Sequence, residues 1–427
     1  MRVVVVVLTA LLVVAGVLTA PAARAEAAAP PPPVSCGAAQ LAPALPGDGV
    51  PARSSTELVP ILALHGWLGT ATHDSTRTGA FSHLVDLVAP VGSDRPQIVG
   101  EPSLIGMFQR IEGAVVYTFD YRDLAARWVT DPGISDALAS SLACLTSATG
   151  HRAIVVAHSM GGLAARQALS QSVDGRPVES MVSDVLTFGT PNTGSDVAKR
   201  LGEIVESTGA VSPAVIAGLD PEGRVGISAL LDACGDAATR DAATAGECTG
   251  VPMIDALSSQ AGLGLRTGST QLEALPPWPA SVQVLALVGD IEVVPVDVLG
   301  RRLRPVDLGD IMVATHSAEA GVDGYVVSTC RYTAFSFEDL PAAAAELNPF
   351  ARIGDAVRFS ALVVEVDASP CHHARLTRNV ELATSASARV AVAVGDELSA
   401  VRAEGAAVPE FRTAPSEEAR RTVLRVS

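Results

Sequence analysis

Aromatic side chains are scarce in this chain, 4% of its 427 residues, and charged ones make up only 18%. A core short of rings has to be built mainly from Ala, Val and Leu, and the 48% hydrophobic content is enough for a sizeable one. Basic residues are the minority: 30 Lys and Arg against 46 Asp and Glu leave a formal charge of −16. That deficit argues against nucleic acid as a partner, because phosphate binding needs clustered cations. It argues in the same way, more weakly, against docking on an anionic membrane surface. No CxxC pair occurs and no Cys/His cluster has zinc spacing, so no metal site and no cofactor are expected. Beyond residue 20 no segment offers the ~20 apolar residues of a membrane span.

The N-terminus is different. Arg2 gives a short positive start, an apolar stretch runs from Val3 to about Ala20, and Ala23-Arg24-Ala25 precedes Glu26. This is the pattern of a secretory signal peptide over 1–25, with an uncleaved anchor as the rival reading. No Cys stands at the cut, which argues against a lipoprotein anchor. Residues 26–50 are an Ala/Pro-rich linker and extension, marked by Pro30 to Pro33. The six cysteines of an exported chain suggest disulfides. Fifteen pairings are open, and the preferred set is Cys36–Cys144, Cys234–Cys248 and Cys330–Cys371.

From residue 51 to about 400 the chain reads as one domain in which strands and helices alternate. Short apolar runs at Val59–Leu64, Ala114–Phe119, Arg152–Ala157, Asp184–Phe188 and Val282–Val288 fit strands buried on both faces of a parallel sheet. Helical stretches at Asp136–Ala148 and Gly161–Ser170 lie between them, which is the order of an α/β fold with crossovers. Residues 192–275, rich in Gly, Ala and Ser, break the rhythm and read as a helical cap over the carboxyl edge of the sheet. Phe359–Val366 is expected as a last strand and Val380–Val394 as a helix, followed by a polar, weakly ordered tail over 401–427.

Two strand exits carry chemistry. Ile154-Val155-Val156-Ala157 runs into His158-Ser159-Met160-Gly161-Gly162 and then a helix. Small residues flank Ser159 because the bend is too sharp for larger ones, and the bend lifts the hydroxyl above the sheet edge as a nucleophile. Ala157 takes the place of the usual first Gly. Leu64-His65-Gly66-Trp67 ends the first strand. In such an arrangement the backbone N–H groups of Trp67 and Met160 form the oxyanion hole. Thr315-His316-Ser317 also places His before Ser, but lacks the following Gly pair, so Ser317 is given no catalytic role.

His65-Gly66-Trp67, Ala157 to Gly162 and Phe188-Gly189-Thr190-Pro191-Asn192-Thr193-Gly194-Ser195 together resemble secreted bacterial lipases and esterases of the α/β-hydrolase superfamily, triacylglycerol-lipase-like and GPI-inositol-deacylase-like. In those proteins His often follows Gly-Thr-Pro; here Asn192 does. The resemblance is firm over 60–195 and looser from 266 to 380. It implies an α/β-hydrolase fold with a mostly parallel sheet and a triad in the order Ser, acid, His. Only His372 and His373 follow His316. The family's Cys-x-His loop, matched by Cys371-His372-His373, selects His373 as base and leaves His372 as the alternative. The family's Gly-Asp-x-Val-Val loop, matched by Gly309 to Val313, favours Asp310 as acid; Asp290, at the end of the fifth strand, is the alternative, and Glu292 stands behind both. The implied activity is hydrolysis of carboxylic esters, lipids among them, by a secreted monomer in transient contact with a lipid interface. An acyltransferase with the same triad and a non-catalytic cell-envelope binding protein are the alternatives. N-terminal sequencing of the protein exported from a secreting host is expected to begin at Glu26; a product that retains Met1 would favour the anchor.

Overall fold

The computed structural model describes residues 36–44, 58–67, 69, 80–81, 103–124, 126–208, 257–296, 301–335, 366, 369–406 and 424–425. Residues 33–50 and 57–427 form one unit, and 1–32 with 51–56 form a second, which lies outside the described residues. The signal peptide, most of the linker, Cys234, Cys248 and the cap between residues 209 and 256 also lie outside them.

The described strands are β1 (Leu41–Pro43), β2 (Val59–Leu64), β3 (Ala114–Phe119), β4 (Ala153–His158), the small hairpin β5 (Ser172–Val173) and β6 (Arg176–Pro177), β7 (Val182–Phe188), β8 (Gln283–Val296), β9 (Val306–Asp307), β10 (Gly324–Phe335) and β11 (Leu424–Arg425). Nine of them make one sheet in the order β1-β3-β2-β4-β7-β8-β10-β11, with β9 added to β8. Every pair is parallel except β1 with β3 and β9 with β8.

All six residues of β2 and all seven of β7 are buried, because apolar layers cover both faces of the sheet. Alternate residues feed opposite layers. Leu62, Leu64, Val155 and Ala157 face a core completed by Leu138, Leu142 and Leu145 of helix α2 (Ser135–Thr149) and Leu163 of helix α3 (Met160–Leu169). Ile61, Ala63, Ile154 and Val156 face the other core, completed by Leu104, Ile105 and Phe108 of helix α1 (Leu104–Gln109). Leu382, Ala386 and Val390 of the long helix Val380–Ala406 close that second core. Helix α2 stops at Gly150, which takes the left-handed conformation at φ 73°. Helix α4 (Asp196–Thr208) follows β7.

Several expectations change, and one falls outside the described residues. The fifth strand runs on from Val288 to Val296, so Asp290 lies inside a strand instead of at its exit. A further strand, β10, pairs with β8 from Gly324–Leu285 to Phe335–Val296, well past the point where β7 stops, so these two form an arm beyond the sheet edge. The strand expected at Phe359–Val366 lies outside the described residues except Val366, which is helical. The helix expected over Val380–Val394 continues to Ala406, and within the tail Leu424–Arg425 pairs with β10. Two disulfides, Cys36–Cys144 and Cys330–Cys371, join the expected partners; the first ties the N-terminal segment to α2, the second ties β10 to the loop before the long helix.

The long helix is fastened to the sheet by charge. Arg389 pairs with buried Asp184 of β7, and Glu397, 3% exposed, accepts from the Arg152 amide at 3.2 Å and its guanidinium at 2.5 Å. Replacing Glu397 with Ala leaves the Arg152 amide unpaired. It is expected to lower stability by about 1–2 kcal/mol, read as a lower urea midpoint at unchanged slope.

Candidate active site

Strand β4 ends at His158 and helix α3 starts at Met160, so a lone residue, Ser159, makes the turn. It does so at φ 54° and ψ −128°, outside the regions that side chains prefer. The turn is held from several sides. The Ser159 amide donates to the Phe188 carbonyl of β7 at 2.8 Å, and the Ser159 carbonyl accepts from the Gly162 amide at 3.0 Å and the Thr190 hydroxyl at 2.9 Å. Space is tight: a Cβ on Gly161 would stand 2.5 Å from the His65 carbonyl oxygen, and one on Gly66 2.6 Å from the Ser159 Cβ. Ala157, fully buried, fits where the usual pattern has Gly.

The turn after β2 is equally fixed. The Gly66 carbonyl accepts from the Gly69 amide at 3.0 Å and lies 2.8 Å from Nδ1 of His65. The buried His65 ring stacks on Tyr121 with centroids 4.1 Å apart, and the Tyr121 hydroxyl donates to the His65 carbonyl at 2.7 Å. Burial, with the nearby Asp120 charge adding to it, holds the Tyr121 phenol far above its usual range, so it stays a donor. Trp67 thus follows a rigid pair of residues packed against Ser159, and Met160 offers the first amide of α3.

His373 and Asp310 come together. His373 Nδ1 lies 2.7 Å from Asp310 Oδ2, and the His373 amide donates to the Asp310 carbonyl at 2.9 Å. The other carboxylate oxygen, Oδ1, accepts from the amides of Met312 at 3.0 Å and Val313 at 2.7 Å, so the buried carboxylate is satisfied on both sides. A carboxylate can only accept, so Nδ1 carries the proton of this bond, and in the neutral ring Nε2 is then the acceptor. Gly189, next after Phe188, has φ 56°; a Cβ there would stand 2.5 Å from Asp310 Oδ2 and 3.0 Å from His373 Nδ1. Asp310 and His373 therefore sit against the segment that also holds Ser159. No direct hydrogen bond joins the Ser159 hydroxyl to the His373 ring; catalytic hydrogen bonds are often long until substrate is bound.

The alternatives fall elsewhere. His372 is 2% exposed and its Nδ1 accepts from the Ala374 amide at 3.3 Å; burial first, then the charges of His373, Arg375 and Arg378, push it down to about 3. It caps the short turn His373–Arg378 as a neutral ring. Asp290 stands opposite Thr329 on the arm and accepts from its hydroxyl at 3.3 Å. Burial, then Asp307 and Glu292, raise it to about 7. Glu292 pairs with Arg331 at 2.6 Å.

The Gly-Thr-Pro-Asn segment joins the parts. Thr190 holds Ser159, the Asn192 side chain donates to Ala318 and accepts from Trp278, and the Ser195 hydroxyl donates to the Met312 carbonyl at 2.5 Å. Ser317 is structural, donating to the Gly194 carbonyl and accepting from the Thr193 amide. Sequence reasoning passed over His158, Thr190, Tyr121 and Asn379. Asn379 caps the long helix at Glu381 and Leu382 while its amide donates to Ser328 and to the Pro370 carbonyl. A helix-capping Asn before a helical run was the readable signal for the last of these. Among the described residues no group of three or more His, Cys, Asp or Glu is arranged to hold a metal, and no helix is long and apolar enough to cross a membrane.

A mostly parallel sheet with helices on both faces and a serine at a strand–turn–helix bend is the α/β-hydrolase architecture. No family model matches the chain, and no curated protein matches it. Among solved structures it is similar to a lipase of Bacillus licheniformis in its mature form: 16% identity, 69% of this chain and 90% of that one, TM-score 0.35. It is also similar to lipase B of Aspergillus fumigatus, with 12% identity over 66% of this chain and 47% of that one and a TM-score of 0.34. A third is an esterase of Pyrococcus furiosus, with 13% identity over 70% and 83% and a TM-score of 0.28.

The raised Asp290 has a consequence for stability. An unfolded carboxyl releases its proton near 3.8, the folded one near 7, so folding becomes less favourable as pH rises through that window and the full cost is present above it. Asp290→Asn removes this term. Urea midpoints should exceed those of the wild type at pH 8, with the gap closing by pH 4.

Proposed function

We propose that this protein is a secreted carboxylic-ester hydrolase working through an acyl-enzyme, with Ser159 as nucleophile, His373 as general base and Asp310 as its orienting acid. The observation that supports this most is the Nδ1-protonated His373, bonded to a satisfied Asp310 and packed against the strand exit that holds Ser159 in its bend.

The chemistry runs as follows. His373 Nε2 takes the hydroxyl proton as Ser159 Oγ bonds to the ester carbonyl carbon. The carbonyl oxygen becomes an oxyanion and is met by the amides of Trp67 and Met160, fixed donors that need no reorganisation. Collapse expels the alcohol, which receives the proton from His373. A water then repeats the sequence on the acyl-Ser159 ester, with His373 again accepting and returning the proton, and releases the acid. Asp310 stays ionised throughout and stabilises the imidazolium. Two disulfides and the apolar N-terminal segment support export. The insertion 192–275 is read as a cap over the site, and the expected partners are ester substrates, lipids included.

The test is hydrolysis of p-nitrophenyl esters of short to long chain. Ser159→Ala should abolish it. Asp310→Asn should lower kcat by roughly 10²–10⁴-fold, whereas Asp290→Asn should stay within a few-fold of wild type. Equal losses at 290 and 310, or activity in Ser159→Ala, would overturn the assignment.

A further inference from the structure

His158, immediately before the nucleophile, is used by none of the steps above, yet its side chain reaches the base. Its Nε2 lies 2.9 Å from the His373 carbonyl oxygen, 215 residues along the chain. A carbonyl can only accept, so Nε2 of His158 carries the proton and donates it. The two imidazoles lie against each other, centroids 4.8 Å apart and tilted by 42°. The other edge of the His158 ring faces the oxyanion turn: a Cβ on Gly66 would stand 3.0 Å from its Nδ1. Glycine at 66 therefore makes room for this ring as well as for Ser159.

Every polar group of His373 except Nε2 is now accounted for. The amide is bonded to the Asp310 carbonyl, Nδ1 to the Asp310 carboxylate, and the carbonyl to His158. Asp310 alone grips the amide and the ring; a rotation about that pair would still carry the base toward or away from Ser159. The third bond closes that freedom from the nucleophile's own strand, since residues 158 and 159 are covalently joined. We propose that His158 is a positioning residue, whose Nε2–H bond to the His373 carbonyl fixes the distance between His373 Nε2 and the Ser159 hydroxyl. The proposal rests on the reading of His373 as general base. Burial, then the neighbouring His373 charge, push the His158 imidazole down to about 3, so the ring remains neutral and does not repel the imidazolium that forms beside it.

Three full-length proteins test it: wild type, His158→Phe, which keeps the ring and loses the donor, and His158→Gln, which keeps a donor at similar reach. Two readouts are taken, ester turnover and the strongly downfield proton NMR signal of the His373–Asp310 hydrogen bond. His158→Phe should lower kcat by roughly 10–100-fold with KM unchanged, as expected for a displaced base, and should broaden or remove the downfield proton. His158→Gln should restore most of both. Wild-type behaviour of His158→Phe in both readouts, or a loss in His158→Gln equal to that in His158→Phe, overturns the proposal. If the wild type turns over no ester, the proposed function fails, and the NMR signal still decides the positioning role: retention in all three proteins overturns it, selective loss in His158→Phe supports it. Should Phe at 158 prevent folding, His158→Asn, too short to reach the carbonyl, takes its place.

Discussion

The arrangement depends on a side-chain-bearing residue held where backbone sterics disfavour it. Ser159 at φ 54° costs on the order of 1–3 kcal/mol unless its surroundings over-determine it. Here they do. Phe188 takes its amide, Gly162 and Thr190 take its carbonyl, and Gly66 and Gly161 let two neighbouring backbones close to van der Waals distance. Those contacts come from β2, β7 and α3, so the bend requires the central strands to be in register. The interior of β2, β4 and β7, buried on both faces, supplies that register.

The proposed acid and base are carried differently. Asp310 sits in a loop beyond the sheet, where Ile311 adopts φ 80°, a conformation β-branched residues avoid. The loop is pinned by its own amides on Asp310 Oδ1 and by the Ser195 hydroxyl on Met312. The loop that carries His373 is pinned by Cys330–Cys371, by Asn379 and by His158. These ties run within the Asp310 loop, to the segment after β7, to β10, to the end of β4 and to the start of the long helix, so both loops are anchored although neither is a strand.

What could be read from the sequence follows from where burial is complete. β2 and β3 were legible to the residue because continuous apolar runs have one meaning in a sheet covered on both sides. The arm of β8 and β10 was not: past Val288 it mixes Asp290, Glu292, Thr329 and Arg331 with apolar residues, which interrupts the continuous apolar run that marks the other strands. Only the resemblance of the Gly309–Val313 loop favoured Asp310 over Asp290; composition and hydropathy around the two do not separate them. Both lie beside Gly and hydrophobic neighbours, and what separates them is a partner 63 residues away for one and a partner on β10 for the other. His372 and His373 are adjacent in sequence but opposite in environment, one sealed and capping a turn, the other bonded to the acid. The Tyr121 clamp on His65 left no trace in the sequence, since it joins two strand exits through a carbonyl.

The central claim is that Ser159 is a nucleophile activated by this setting. Incubation with a fluorophosphonate, followed by intact mass and peptide mapping, measures it most directly. One adduct is expected, on the peptide containing Ser159, formed rapidly by the wild type and slowly by Asp310→Asn. An unlabelled wild type, or an adduct mapped to another residue, would contradict it.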